Sequence, residues 1–288
     1  MAVTASGMQG GRMVCNADLL QTGLDPRRTG TAMIDYAIVG GGRLARHFSE
    51  YFRLLEIPHT RWVRDSRSSF NTFTSPDAET RLRETLKQAD RVLLLVSDNA
   101  IATLPKQYPF LHDKQLIHCS GALSLPGVAG AHPLMTFADH LYGLEVYRNV
   151  PFVLEAGYCF SDLMPGLPNP HFAISAKDKA RYHAMCVMAG NFTQVLWRGI
   201  SDRFEQQFGW PAEISHAYLN QVTDNFTQNP ATALTGPLVR NDQQTIEHNI
   251  KSLDGDPLQD LYRAFIRFYQ HDREQLPASE PTHREQLL

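Results

Sequence analysis

Residues 36–45 read Tyr-Ala-Ile-Val-Gly-Gly-Gly-Arg-Leu-Ala, and no other stretch constrains the fold as strongly. An apolar run from Tyr36 to Val39 stops at Gly40. Gly42 follows two residues later and Ala45 three after that. An amphipathic segment then runs from Arg43 to Ile57, with Leu44, Phe48, Phe52 and Leu55 near helical spacing. The reading is strand, glycine turn, helix, in the order that the pattern G-x-G-x-x-G/A requires. Gly40 permits the tight turn, Gly42 leaves room for a close approach to the backbone, and Ala45 lets the helix lie near the strand. The unpaired amides and the positive dipole end of that helix would attract a diphosphate. Gly40, Gly41, Gly42, Arg43, Leu44 and Ala45 are therefore candidate dinucleotide-binding residues.

The chain has 288 residues, enough for two modest domains. Charged residues make up 20% and the net charge is −3, so neither nucleic acid nor an anionic membrane is an expected partner. The longest apolar run, Val92 to Val96, is far too short to span a bilayer. Cys15, Cys119, Cys159 and Cys186 form no C-x-x-C pair, so no metal site is expected. Reduced thiols in a cytoplasmic protein are the simpler reading. Residues 1–32 are glycine-rich without periodicity and are expected to be a disordered tail.

Further along, Thr60 to Val63 reads as a second strand and residues 77–88 as a short helix. Val92 to Val96 is apolar throughout, as a strand covered on both faces should be. Ser97-Asp98-Asn99 would cap a helix from Ala100 to Leu104. Gln115 to Cys119, Gly130 to Leu134, Phe152 to Leu154 and Phe172 to Ile174 read as later strands. Alternation of strands and helices predicts a parallel sheet over residues 33–176.

After Ala176 the pattern is helical, predicting an all-helical domain over 177–276 and a polar tail over 277–288. Lys177 to Ile200 would place Tyr182, Met185, Ala189, Phe192 and Leu196 on one face. The last helix carries Leu258, Leu261, Phe265 and Phe268, and both stripes read as core. Asp242 reads as the N-cap of a helix to Leu253. Asp256-Pro257 marks the start of the last one.

A nicotinamide dinucleotide site usually ends its second strand with a carboxylate that binds the ribose hydroxyls. Here that position reads Arg64, with Asp65, Ser66 and Arg67 beyond. A guanidinium fork would hold a 2′-phosphate, so NADP is favoured over NAD. If the strand persists, alternation turns Asp65 away from Arg64.

Several segments carry a resemblance. They are Ala37 to Ala45, Val96 to Ile101, His118 to Ala122, His132 to Phe137, Tyr182-His183-Ala184, Asn191, and Ala233 to Asp242 with Thr245 and His248. Together they resemble a family of predicted oxidoreductases that join a Rossmann-like domain to an all-helical domain of unknown function. That family is similar to ketopantoate reductase, pyrroline-5-carboxylate reductase and 6-phosphogluconate dehydrogenase. The resemblance implies an α/β Rossmann-like parallel sheet followed by an all-α, 6-phosphogluconate dehydrogenase C-terminal-like domain. It further implies a nicotinamide cofactor, a cleft between the domains and a homodimer formed through the helical one. Where the family pattern has a glycine between the arginine and aspartate of its second motif, this chain has Asn241, a residue that tolerates left-handed backbone.

Ligands of open α/β sheets bind beyond the carboxyl ends of the strands. Ser97, Asp98, Asn99 and Ser120 are therefore cofactor candidates, with Cys119 and Gly121 close by. His132 is a substrate-binding candidate. Related 3-hydroxy acid dehydrogenases use a lysine and an asparagine one helical turn apart. Asn191 matches that asparagine, but the residue one turn earlier is Val187. His183, two turns before Asn191, could supply the proton instead. Arg240 could hold a substrate carboxylate. The function expected is NADPH-dependent reduction of a small carbonyl or imine substrate. The alternative is a non-catalytic NAD(P)-binding sensor or scaffold.

Overall fold

The computed structural model describes residues 36–64 and 76–275. The expectations for residues 1–32 and 277–288, and for Asp65, Ser66 and Arg67, lie outside them. The chain divides into two compact units, the first running to Leu196 and the second starting at Trp197.

The first unit begins with β1 (Tyr36–Val39), α1 (Arg43–Leu54), β2 (His59–Trp62), α2 (Pro76–Leu86), β3 (Arg91–Leu94) and α3 (Asp98–Gln107). It continues with β4 (Gln115–His118), β5 (Ala129–Pro133), α4 (Leu144–Arg148), β6 (Phe152–Glu155), α5 (Phe160–Leu163), β7 (His171–Ile174) and α6 (Lys179–Val187). The seven strands form one sheet in the order β2-β1-β3-β4-β5-β6-β7. This is the expected Rossmann-like sheet, and the part that follows it is helical. One departure is that β6 runs antiparallel to β5.

Side-chain alternation gives the sheet two covered faces. Tyr36, Ile38, Leu93, Ile117, Ala131 and Phe152 face one core, shared with Phe48 and Phe52 of α1. Ala37, Val39, Val92, Leu94 and Leu116 face the other, shared with Leu82, Leu86, Ile101 and Leu104. Covering on both faces is why strands such as β1 are apolar at every position.

Several local expectations change. β2 ends at Trp62, so strand alternation does not reach Arg64. The third helix runs from Asp98 to Gln107, longer at both ends than expected; Ser97 is its N-cap and makes no side-chain hydrogen bond. The helix expected from Lys177 to Ile200 is interrupted by a π-helical turn, Met188–Phe192, before α7 (Thr193–Phe208). The residues predicted to form its core stripe are not core: Met185 is 54% exposed and Phe192 59%.

The second unit contains most of α7, then α8 (His216–Gln228), α9 (Gln243–Ser252) and α10 (Leu258–Gln275). Asp242 caps α9 as expected, its carboxylate accepting from the Thr245 amide at 3.1 Å and the Thr245 hydroxyl at 2.7 Å. Asn241 before it has φ 53°, the left-handed geometry that asparagine tolerates. Asp256 accepts from the Leu258 amide at 2.8 Å and holds Arg203 of α7 through two 2.7 Å hydrogen bonds. Here too the predicted stripe is not core, since Leu261, Phe265 and Phe268 are exposed. Among the described residues no helix is long and apolar enough to cross a membrane.

Candidate active site

At the amino end of α1, Gly40 has φ +154°, and a Cβ there would collide with the carbonyl of Leu95. Only glycine lets β1 turn away this close to the strand beside it. Gly42 is the N-cap, and a Cβ on it would meet nothing within 4 Å. No side chain caps the first turn and no acidic residue lies in it. Among the described residues no side chain accepts from the first amides of α1, an arrangement that fits an anionic group. Ala45 is fully buried, as close helix-to-strand packing requires, and Leu44 is half-buried. Arg43 is exposed and pairs with Asp139 at 3.5 Å.

Sequence reasoning missed Arg61. Its Nε donates to the Gly40 carbonyl at 3.1 Å and so braces the glycine turn from β2. Arg61, Arg64 and Arg81 line one surface depression at the end of β2, together with Glu84 and Thr85. Arg64 is exposed there.

At the carboxyl ends of β3 and β4, Ser120 Oγ donates to Asp98 Oδ2 at 3.1 Å and accepts from the amides of Ala122 and Leu123. Ser97 and Asn99 are exposed beside Asp98. Cys119 is buried, and burial pushes its thiol well above the usual range, so it is a core residue rather than a nucleophile.

Beyond β4 and β5, three side chains meet over Gly121. His132 Nδ1 shares a 2.8 Å hydrogen bond with the Tyr182 hydroxyl. The His132 and His183 rings lie edge to face with centroids 6.0 Å apart. A Cβ on Gly121 would sit 2.5 Å from His183 Cδ2 and 3.1 Å from His132 Nε2, so glycine is what admits both rings. Burial, then the neighbouring His183 and Lys179, lower the His132 pKa to about 4. Burial, then a hydrogen bond with Cys186, raises that of Tyr182.

A second polar group lies on the same sheet face. Register aligns His118 of β4 with Gly130 of β5. Antiparallel pairing then places Glu155 of β6 beside Gly130. Glu155 Oε1 accepts from Lys179 Nζ at 2.7 Å, and Glu155 Oε2 accepts from Ser124 Oγ at 2.9 Å. His118 is fully buried, and its Nδ1 accepts from the Ser120 amide at 3.2 Å. The proton therefore sits on Nε2, which has no hydrogen-bond partner among the described residues and stands 4.0 Å from Glu155 Oε1. Burial first, then Lys179, lower the His118 pKa to about 4, against the opposing pull of Glu155 and Asp98.

Residues 155–267 match the family model described as a domain of unknown function, DUF2520. The match lies in the C-terminal part of the chain, opens at Glu155 and includes Lys179, Tyr182 and His183. A comparison with curated proteins finds no match.

Among solved structures, the "putative NADP oxidoreductase" BF3122 of Bacteroides fragilis is 16% identical with a TM-score of 0.62, covering 83% of this chain and 98% of its own. Protein TM1727 of Thermotoga maritima is 26% identical with a TM-score of 0.59, again covering 83% and 98%. The pyrroline carboxylate reductase of Plasmodium falciparum, solved with NADP bound, is 12% identical with a TM-score of 0.51, covering 83% and 97%. The family resemblance seen in the sequence is met by the DUF2520 match and by these neighbours, whose likeness establishes the fold.

Among the other predicted residues, Asn191 is exposed on the π turn, where spacing of 100° per residue no longer relates it to His183. Arg240 and His248 belong to the second unit, both exposed. Lys179, Glu155, His118 and Tyr182 were not singled out as functional from sequence. Their signals were a carboxylate ending a buried strand and the Lys-x-x-Tyr-His spacing, which puts three side chains on one helical face. Among the described residues no cluster of three or more His, Cys, Asp or Glu could hold a metal.

Proposed function

We propose that the protein is an NADPH-dependent reductase of a small carbonyl or imine substrate. The observation that carries this is the gathering of His132, Tyr182 and His183 over Gly121, on the same sheet as the uncapped amino end of α1. The amides from Gly42 to Ala45 would hold the diphosphate, Arg64 with Arg61 and Arg81 the 2′-phosphate, and Asp98 and Ser120 the nicotinamide half. NADPH, when bound, supplies a hydride.

The chain's own residues supply the proton. In the tautomer in which Nδ1 accepts from the Tyr182 hydroxyl, neutral His132 presents an Nε2 donor beside His183. The Tyr182 proton can follow onto His132 as the substrate heteroatom takes the first.

We also read the protein as a homodimer. α8 is a thirteen-residue helix whose Tyr218, Val222 and Phe226 are exposed, with Leu219 half-buried. A helix this short is marginal in water without a packed face. Its surface carries one formal charge, Asp224, so a second copy can cover it without burying a charge excess.

Calorimetry with NADPH, NADP, NADH and NAD tests the cofactor reading, followed by turnover against small keto acids and cyclic imines. Arg64→Asp should weaken NADPH binding roughly tenfold to 150-fold and spare NADH, the range expected for one charged hydrogen bond. Failure of all four nucleotides to bind would overturn the proposal.

A further inference from the structure

The proton chemistry above leaves the Lys179–Glu155 pair unused, although its construction is demanding. Lys179 is 2% exposed, and its ammonium meets Glu155 in a slot that exists because residue 130 is glycine. A Cβ on Gly130 would lie 2.5 Å from both Lys179 Nζ and Glu155 Oε1. Ser124 fixes the other oxygen of Glu155. A buried ion pair is seldom the most stable filling for such a slot, so stability alone is a weak reason for it.

Its position offers another reason. Lys179 is the first residue of α6, and Tyr182 and His183 follow at i+3 and i+4 on the same face. Lys179 is also the cation common to the surroundings of His118 and His132. The unpartnered Nε2–H of His118 faces the same Glu155 oxygen from 4.0 Å, as a second donor that Lys179 outcompetes. His118 further faces Asp98, and His132 further faces His183 and Tyr182.

We infer that the Lys179–Glu155 pair is the positioning element of the histidine cluster. It pins the first turn of α6 to the end of β6, holds Tyr182 and His183 against His132, and sets the charge that His118 and His132 face. The inference takes from the reductase reading only the reaction being served.

The test is histidine imidazole titration by nuclear magnetic resonance on the full chain, with no nucleotide added. In Lys179→Met the cation is gone and Glu155 is released to His118, so the His118 and His132 midpoints rise toward the usual histidine range. The contact between the His132 and His183 ring protons weakens. In Glu155→Gln the ammonium loses its counterion and the midpoints stay at or below wild type. The double variant Glu155→Leu, Lys179→Met leaves no buried charge and keeps the fold. Its midpoints lie between wild type and Lys179→Met.

A part that only fills space would give no such order, and midpoints indifferent to the charge retained would overturn the inference. Should Lys179→Met fail to fold, the other two variants decide. NADPH calorimetry on the same samples separates the two readings. A wild-type protein that ignores NADPH sinks the reductase proposal while the order of midpoints stands. NADPH binding with unmoved midpoints sinks the positioning role alone.

Discussion

Lys179 Nζ and Glu155 Oε1 meet 2.7 Å apart in the space that a side chain on Gly130 would take. Strand register explains why. Gly130 lies between His118 and Glu155 across three neighbouring strands, so the face they share has a gap one residue wide. The lysine that fills it comes from the helix carrying Tyr182 and His183. One backbone choice thus connects the sheet to the candidate proton donors.

Gly130→Ala is therefore expected to cost about 1–3 kcal/mol, the usual range for overpacking a well-filled core. Chemical denaturation measures it directly. The substitution should also displace Lys179 from Glu155. An unchanged midpoint of unfolding would mean that the pair shifts aside without loss.

His118 and His132 predict an acid-sensitive fold. Both have folded-state pKa values lowered to about 4. The unfolded chain has ordinary histidines near 6.5, so between about pH 6.5 and about 4 it binds more protons than the folded one. The stability these groups contribute is present above the unfolded value and is lost as pH falls through the folded value. The loss is at most about 1.4 kcal/mol per pH unit for each histidine. Thermal unfolding followed across that window should show the fall, and His118→Gln should make it shallower. Equal slopes in the two proteins would rule out a neutral buried His118.

Light scattering should give twice the chain mass if a second copy covers α8. Val222→Asp puts a charge on that face at a position already 41% exposed, so the single chain is expected to fold and the mass to halve. A wild-type protein with the mass of one chain would rule out the homodimer.

The glycine turn was legible in the sequence because its spacing lies within one strand–turn–helix unit, although the atom that excludes a side chain at Gly40 is the carbonyl of Leu95, at the end of the neighbouring strand, and Gly42 has none. The caps Asp242 and Asp256 were legible because a capping carboxylate bonds an amide two or three residues away. The helical stripes misled, because spacing reports an apolar face and not what covers it. Phe192, Phe265 and Phe268 carry the right period and remain exposed.

By itself, then, the sequence determined a dinucleotide-type turn, a sheet covered on both faces and a helical part beyond Ala176, all of them products of short-range sterics and periodicity. Only the tertiary structure decided that Glu155, 24 residues before Lys179, would receive it, and that His132, 50 residues before Tyr182, would bond to it. Those pairings depend on strand order and register, which are set by the packing of the whole sheet and are written in no single segment.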